Sequence, residues 1–400
     1  MQKILASLQK HIRAEWPTFV AFAMVFVLIS ILLVYKLDTL LPGYGTAEQS
    51  TYAASSSLTS IWNSPVNAPL ALLIFGLRHI VGDQLLAARL ASVLVGWLTI
   101  ILFCAVSYIW FGKRTALIGT VVFGTSSWFL HVSRLGTPEV LLFGLFALVA
   151  CGIWLRERQS GVAIIGGLSL CALALYVPGM AWLLVLGGIW QLRAIDRSLR
   201  SKPGPVIIGS FLFLLLLAPL GWHFYQHPGL IRDWLYLPQD WQHPWNFIID
   251  ALHVPLSFFV RQPQENPELW LGRMPVFSIF ATTMFVFGTF LFLKHARLAR
   301  TRIITSLAIL GSIVIAITGN RVGITILVPF AYLVVAAGIG YIIDQWYQTF
   351  PRNPIARGIG TVAIVVTIAA ACLYPLRSYF TAWPQAEKTR AVFTIPGKQQ

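Results

Sequence analysis

The chain consists of long apolar runs separated by short polar segments. A helix needs about 20 mostly apolar residues to cross the ~30 Å hydrocarbon core of a membrane. Such runs recur along the whole sequence and predict an all-α integral membrane protein with about eleven transmembrane helices. The predicted helices lie near residues 17–35, 88–111, 115–133, 140–155, 161–177, 180–192, 205–222, 275–293, 303–318, 322–343 and 358–376.

Two of the segments between the apolar runs are long, at residues 36–87 and 223–274. The first contains an apolar stretch too short to span, and the second is rich in tryptophan. Because Trp and Tyr favour the headgroup level of a membrane, we expect interfacial helices in both outer loops. Residues 1–376 are thus predicted to form one polytopic domain, followed by a short external tail at 377–400.

Composition supports the membrane assignment. Hydrophobic residues make up 57% of the 400 residues and charged residues 11%, against roughly a quarter in soluble domains. This balance excludes an ordinary cytosolic enzyme and also a disordered chain. The four cysteines all lie inside apolar runs without Cys-x-x-Cys spacing, so they predict neither a disulfide framework nor a thiolate metal site.

The formal charge of +15 describes topology rather than a nucleic-acid partner. Most of the 29 basic residues fall in alternate loops that share one side of the membrane if the N-terminus is cytoplasmic. By the positive-inside rule these loops are cytoplasmic, and the long loops then face outward. The basic segments lie at residues 3–13, 113–114, 156–158, 193–202, 294–302 and 352–357.

Two acidic residues on the predicted outer face require an explanation. A carboxylate in mid-bilayer costs roughly 2.5–3.5 kcal/mol on insertion scales. Glu48 lies in a turn-rich stretch soon after the first span, and Glu139 lies in the turn between the third and fourth spans. Each also has a simpler interpretation. Glu48 fits a solvated loop acid, and Glu139 fits a first-turn helix acid after Pro138.

Short motifs in a fixed order resemble the GT-C polytopic glycosyltransferases of the dolichyl-phosphate-mannose–protein mannosyltransferase and aminoarabinose-transferase (ArnT-like) type. The resemblance is densest over residues 40–180 and returns more weakly near residues 320–330. The motifs are Asn67-Ala-Pro-Leu, Ala88-Arg-Leu-Ala-Ser, Phe111-Gly-Lys-Arg, His131-Val-Ser-Arg134, Tyr176-Val-Pro-Gly179, Asn320-Arg321 and Leu327-Val-Pro-Phe330.

The resemblance implies sugar transfer from a polyprenyl-phosphate donor to a protein, lipid or glycan acceptor at the outer face of the plasma (inner) membrane. It places Glu48 at the reaction centre as general base and Glu139 in the same cavity. One departure matters, because many relatives carry an Asp-Glu pair where this chain has Ala47-Glu48. The Trp-Trp-Asp signature of oligosaccharyltransferases is absent from the sequence.

The leaving phosphate of such a reaction needs positive charge, and arginine holds phosphate oxygens in pairs. Arg134 and Arg321 are the predicted phosphate ligands, with Arg78 and Arg89 as weaker candidates from the region of the first loop. Two alternatives stay open. Arg134 would equally pair with Glu139, and Arg321 would equally serve as an interfacial cation at a helix end.

A divalent metal is a further hypothesis. His223 and His227 stand at i, i+4, a spacing that places two imidazoles on one helix face. A zinc site would need more ligands, such as Glu48 or Asp233. Two histidines at this spacing in an interfacial loop are more often polar surface residues.

Two other functional classes compete with the enzyme. A secondary transporter or lipid flippase would show paired halves and ionisable residues near mid-membrane. The apolar runs carry almost no charge, and most acids gather on one face. A noncatalytic anchoring protein would leave that placement of acids without a reason.

Overall fold

A computed structural model describes residues 2–158, 160–237, 249, 252–260, 267–272, 274–318 and 321–394. This part of the chain is α-helical and contains no β-strand. In chain order the helices are α1 Gln2–Val34, α2 Thr46–Ala54, α3 Leu58–Asn63, α4 Ala68–Arg78, α5 Gln84–Phe111, α6 Lys113–Gly124, α7 Ser127–Arg134, α8 Gly144–Arg158, α9 Gly161–Ala174, α10 Met180–Ser201, α11 Pro203–Gln226, α12 Leu230–Trp234, α13 Ile279–Lys294, α14 Ala299–Thr318, α15 Val328–Thr349, α16 Pro354–Arg377, α17 Trp383–Gln385 and α18 Glu387–Val392. Short 3₁₀ turns at Pro138–Phe143 and Arg321–Ile326 precede α8 and α15, and a π-helical turn at Ser378–Ala382 follows α16.

Every predicted span coincides with a helix or a helical pair, which confirms the all-α membrane fold. Among the described residues, seven helices are long and apolar enough to cross a membrane. An eighth is added if α6 and α7, bent by 62° at the break between them, form one span. The apolar parts of α9, α10 and α13 are shorter than a full span. The count of about eleven therefore stays a prediction.

The centre of the bundle is packed with aromatic rings from several helices. The ring centroids of Phe103 on α5 and Phe123 on α6 lie 4.5 Å apart, and Tyr332 on α15 lies 5.3 Å from Phe123. Helices α13 and α15 touch through Gly288 and Gly338, where a Cβ atom would overlap the backbone of the other helix. Small residues at such crossings allow membrane helices to pack by backbone contact. Phe123 also lies 4.8 Å from the ring of Phe129 on α7, so this packing holds α5, α6 and α7 together.

The first outer loop folds into three short helices. Helices α2, α3 and α4 occupy much of the predicted loop 36–87, as the apolar stretch within it indicated. Asn67 opens α4 and its N–H donates to the carbonyl oxygen of Tyr176 at 2.8 Å, so the loop is tied to the end of α9. In the second loop, α12 and residues 252–256 are helical. The position of both loops at the membrane interface stays a prediction.

Residues 378–393, here called the C-terminal arm, fold back onto the bundle. Tyr379, Trp383 and Phe393 are 2%, 4% and 0% exposed. Phe393 contacts Trp383 with ring centroids 5.8 Å apart, and Trp383 stacks on Tyr379 at 5.4 Å. Much of the stretch predicted as a tail at 377–400 is therefore packed. The division into a domain at 1–376 and a tail stays a prediction, as does the side of the membrane on which the arm lies.

Candidate active site

Glu48 is fully buried at the start of α2. Its carboxylate accepts hydrogen bonds from Arg89 Nε at 2.7 Å and Arg89 Nη2 at 2.8 Å. The backbone N–H groups of Gly45 and Gly136 each donate to it at 3.1 Å. A carboxylate has about four acceptor positions, so the hydrogen-bonding capacity of Glu48 is used within the protein.

Arg89 comes from the first turns of α5 and is also buried, with 1% of its surface exposed. Besides its two bonds to Glu48, it donates from Nη1 to the carbonyl of Leu37 at 2.7 Å and from Nη2 to the carbonyl of Gly43 at 3.1 Å. Its guanidinium lies 4.1 Å from the ring centroid of Tyr44. Burial raises the pKa of Tyr44 to about 12, so its phenol is neutral at physiological pH. The ion pair between Arg89 and Glu48 is bidentate, and both side chains have further hydrogen-bond partners in the protein.

Glu268 reaches the same place from the second outer loop and is 2% exposed. Its carboxylate accepts from the backbone N–H of Ala47 at 2.9 Å, from that of Glu48 at 3.2 Å and from Thr46 Oγ1 at 3.2 Å. These are free donors of the first turn of α2, so Glu268 caps that helix. Gly45 makes the approach possible, since a Cβ atom there would overlap the Glu268 carboxylate. We call Tyr44, Glu48, Arg89 and Glu268 the paired cluster.

Arg134 ends α7 and is 3% exposed. It donates from Nη1 to the carbonyl of Leu32 at 2.8 Å and from Nη2 to that of Tyr35 at 2.6 Å. Its Nε is buried without a partner, and the guanidinium lies 4.7 Å from the ring of Phe380 in the C-terminal arm. Arg134 and Glu139 form no ion pair in this structure, in which both side chains are described. The alternative of an Arg134–Glu139 pair is wrong.

Four residues beside Arg134 form a second polar group, which we call the unpaired cluster: His131, Thr137, Glu139 and Trp383. His131 and Thr137 are 0% and 1% exposed. Five of the buried polar atoms in this cluster have no hydrogen-bond partner. They are His131 Nδ1 and Nε2, Thr137 Oγ1, Glu139 Oε2 and Trp383 Nε1.

The two clusters are neighbours. The His131 ring makes hydrogen-bond contacts of poorer geometry with the backbone of Glu268 and Leu269. The Glu139 carboxylate makes a similar contact with the Thr137 hydroxyl and lies within electrostatic reach of Glu268. Trp383 of the C-terminal arm closes this group, with its ring centroid 4.8 Å from that of His131. The carboxylates, arginines and aromatic rings of the two clusters therefore lie in one region of a chain that is otherwise poor in charge.

The other predicted phosphate ligands are placed differently. Arg78 ends α4, donates to the carbonyl of Ser56 and lies 5.9 Å from the ring of Tyr52, so its contacts are within the first loop. Arg321 begins a 3₁₀ turn that packs against the turn at Pro138–Phe143, which contains Glu139. The side chain of Arg321 lies outside the described residues.

The histidine pair stands alone at the end of α11. The rings of His223 and His227 are 5.2 Å apart, with His223 buried and His227 exposed. Over the described ranges of the chain, no three His, Cys, Asp or Glu side chains come together in a way that could hold a metal ion. Neither Glu48 nor Asp233 joins the pair. The metal hypothesis therefore has no support in this part of the protein.

The sequence analysis assigns no site role to five residues of the two clusters, namely Tyr44, Glu268, His131, Thr137 and Trp383. Glu268 lies in the predicted outer loop 223–274, and Trp383 lies in the predicted tail. His131 is part of a motif without an assigned role. A signal existed only for His131, an ionisable residue at the end of an apolar run.

Two solved structures are similar to this chain in fold. ArnT from Cupriavidus metallidurans bound to undecaprenyl phosphate has a TM-score of 0.53 and 13% sequence identity, with 93% of this chain and 76% of that chain covered. The same protein in the apo state has a TM-score of 0.53, 14% identity and equal coverage. No protein-family model and no curated protein matches the chain. The similarity is one of three-dimensional structure, and the chain has the ArnT-like GT-C fold.

Proposed function

We propose that this protein is a membrane glycosyltransferase that moves a sugar from a polyprenyl-phosphate donor to an acceptor at the outer face of the membrane. The observation that carries the proposal is the position of Glu139, a carboxylate with a free oxygen, five residues from Arg134 in a chain with the ArnT-like fold. The related ArnT structure was determined with undecaprenyl phosphate bound. The outward orientation rests on the distribution of basic loops.

The reaction requires a base and a stabilised leaving group. An acceptor hydroxyl oxygen forms a bond to the anomeric carbon, the bond between that carbon and the phosphate oxygen breaks, and the polyprenyl phosphate leaves with the electron pair. The hydroxyl proton passes to a carboxylate, a role that contributes typically 10²–10⁴ in rate. Positive charge beside the phosphate stabilises the transition state.

The two predicted carboxylates differ in their ability to take that proton. Glu48 was the candidate base from the sequence, but it already accepts four hydrogen bonds, two of them from Arg89. Protonation of Glu48 would break a buried ion pair. Glu139 Oε2 has no partner and is free to accept a proton. We therefore assign the base to Glu139 and give Glu48 the role of holding Arg89 and the first loop.

Arg134 is the phosphate ligand that the contacts favour. Two of its five N–H groups donate to backbone carbonyls, and its Nε has no partner. Arginine presents these donors in a planar fork that suits phosphate oxygens. Arg321 and Arg78 remain predicted ligands, and the turn that begins at Arg321 lies beside the turn that contains Glu139.

Transfer assays on the purified full-length protein in lipid vesicles test the proposal. Radiolabelled undecaprenyl-phosphate sugars are supplied with membrane extract as the source of acceptor. We expect Glu139→Gln to lower transfer by about 10²–10⁴-fold. The control is Asp38→Asn, which removes an exposed carboxylate from the predicted first outer loop and should leave transfer unchanged.

Two results would overturn parts of the proposal. If Glu139→Gln transfers sugar at the wild-type rate, the base is not Glu139. If Glu48→Gln then folds normally and loses transfer, the base is Glu48. If no acceptor is labelled by wild type but a solute accumulates in the vesicles, the protein is a transporter.

A further inference from the structure

We infer that the unpaired cluster binds the hydroxyl groups of the sugar carried by the donor lipid. This inference rests on the proposed function and names the subsite that holds the transferred group. His131, Thr137, Glu139 and Trp383 would be its ligands, and Arg134 would hold the adjacent phosphate.

The first support is the lack of partners in the cluster. The large majority of buried polar side-chain atoms in proteins have a hydrogen-bond partner, because an unpaired one loses its hydration without replacement. Here five such atoms from four residues lie together without a well-formed hydrogen bond. The contacts within reach are those of His131 with the backbone of Glu268 and Leu269 and of Thr137 with the Glu139 carboxylate. A ligand with hydroxyl groups would complete this set.

The second support is their position relative to Arg134. His131 precedes Arg134 by one helical turn on α7, and Thr137 and Glu139 follow it in the next turn of the chain. In the donor lipid the sugar is bonded directly to the phosphate, so its hydroxyl groups lie within about one ring of the phosphate oxygens. A phosphate held by Arg134 therefore places the sugar at these residues.

The third support is the chemistry of the unpaired atoms. A neutral imidazole both donates and accepts, as does a threonine hydroxyl, whereas a carboxylate accepts and an indole N–H donates. Sugar hydroxyl groups also do both, so one ring can satisfy the whole set. A lipid chain satisfies none of these atoms, and a second anionic group is repelled by Glu139 and Glu268.

The C-terminal arm covers this subsite. Trp383 contacts His131, and the arm is held by ring contacts and by the guanidinium of Arg134 against Phe380. A sugar reaches His131 once Trp383 moves away from α7. The arm begins with the π-helical turn at Ser378–Ala382, an irregularity that is frequent at functional sites.

Ser133 provides a matched control on the same helix. Its hydroxyl is also buried and unpaired, but it is pressed against Gly96 of α5, where a Cβ atom would overlap it. It therefore faces a helix contact and lies outside the subsite. A buried hydroxyl can thus be removed inside the predicted sugar site, at Thr137, or outside it, at Ser133.

Binding of two kinds of lipid to the purified full-length protein tests the inference. One is undecaprenyl phosphate alone, and the other is undecaprenyl phosphate carrying glucose, galactose or mannose. We expect Thr137→Val and His131→Phe to weaken binding of the preferred sugar-bearing lipid by about tenfold or more, because a site built for a hydroxyl loses a bonded partner. Binding of undecaprenyl phosphate should stay within about twofold of wild type, and Ser133→Ala should change neither.

The results separate the subsite from the proposed function. Equal losses for both lipids in Thr137→Val, or wild-type binding of every sugar-bearing lipid by Thr137→Val and His131→Phe, would overturn the subsite alone. The subsite also fails if wild type binds all the lipids equally, since the sugar then makes no contact. If wild type binds none of them, undecaprenyl phosphate included, the proposed function fails and the subsite with it.

Discussion

The paired and the unpaired clusters lie side by side and are both buried, yet their hydrogen bonding is opposite. In the paired cluster Glu48 accepts four hydrogen bonds, and Glu268 holds three donors at the start of α2. In the unpaired cluster His131 and Thr137 are as deeply buried, but their side chains make no well-formed hydrogen bond and have only weaker contacts with the backbone of Glu268 and Leu269 and with the Glu139 carboxylate.

On the inference made above, this contrast separates residues that hold the fold from residues of the proposed sugar subsite. A carboxylate in an apolar chain attracts attention in either case, because burial of charge is costly. Glu48 is fully buried and Glu139 is half-buried, but this difference alone does not distinguish their roles. The hydrogen-bond partners do, since a fully bonded group stabilises the protein and a buried group without partners destabilises it until something binds. The two clusters should therefore respond in opposite ways to mutation.

Removal of Arg89 is expected to have the largest effect on stability. Arg89→Met leaves the Glu48 carboxylate buried without its charge partner, which should lower the free energy of unfolding by about 3–5 kcal/mol. Unfolding of the purified protein in detergent, followed by heat or denaturant, measures the loss. The double variant Arg89→Met/Glu48→Gln should recover part of it, because no unpaired charge remains.

Arg114→Met serves as the control for Arg89→Met. Arg114 is exposed on α6 and lies 5.8 Å from the ring of Tyr347. A surface arginine of this kind should change stability by no more than about 0.5 kcal/mol. If Arg89→Met were no more destabilising than Arg114→Met, the paired cluster would not hold the fold.

Loss of the Glu268 cap is expected to have an intermediate effect. Glu268→Ala frees buried N–H groups of α2 and should lower the free energy of unfolding by about 1–3 kcal/mol. Glu268→Gln should lower it less, because its amide oxygen can still accept from Ala47 and Glu48. Thermal unfolding of both variants checks the difference.

Gly45→Ala disturbs the contact between Gly45 and the Glu268 carboxylate while leaving Glu268 itself unchanged. Its new methyl group would displace the Glu268 carboxylate, so it should destabilise the protein about as much as loss of the cap. Gly76→Ala in α4 adds a methyl group to open space and should be neutral or slightly stabilising. Equal behaviour of the two alanine variants would mean that the Glu268 contact contributes nothing.

The fold could be predicted well from the sequence, and the site only in part. Membrane helices follow from runs of apolar residues, which are local, and all eleven runs proved helical. Glu48, Glu139 and Arg134 stood out because charges are rare in this chain. The partner of Glu48 could not be found in this way, since Arg89 lies 41 residues away and Glu268 lies 220 residues away. Whether a buried polar atom is bonded depends on such distant contacts, so the contrast between Glu48 and Glu139 has no sequence signal.

The smallest expected change in stability comes from the unpaired cluster and tests the comparison most closely. The Thr137 hydroxyl is buried and makes no well-formed hydrogen bond, only a weaker contact with the Glu139 carboxylate. Thr137→Val replaces it with a methyl group of similar shape, so the free energy of unfolding should stay the same or rise by up to about 1 kcal/mol. Thr325 is the matched control, because it is 0% exposed and its Oγ1 accepts from Trp128 Nε1 at 3.1 Å. Thr325→Val leaves that indole N–H unpaired and should lower stability by about 1–3 kcal/mol. Both values come from the same unfolding measurement. Equal losses in the two valine variants would show that Thr137 is bonded in the folded protein, and the distinction between the clusters would then fail at this residue.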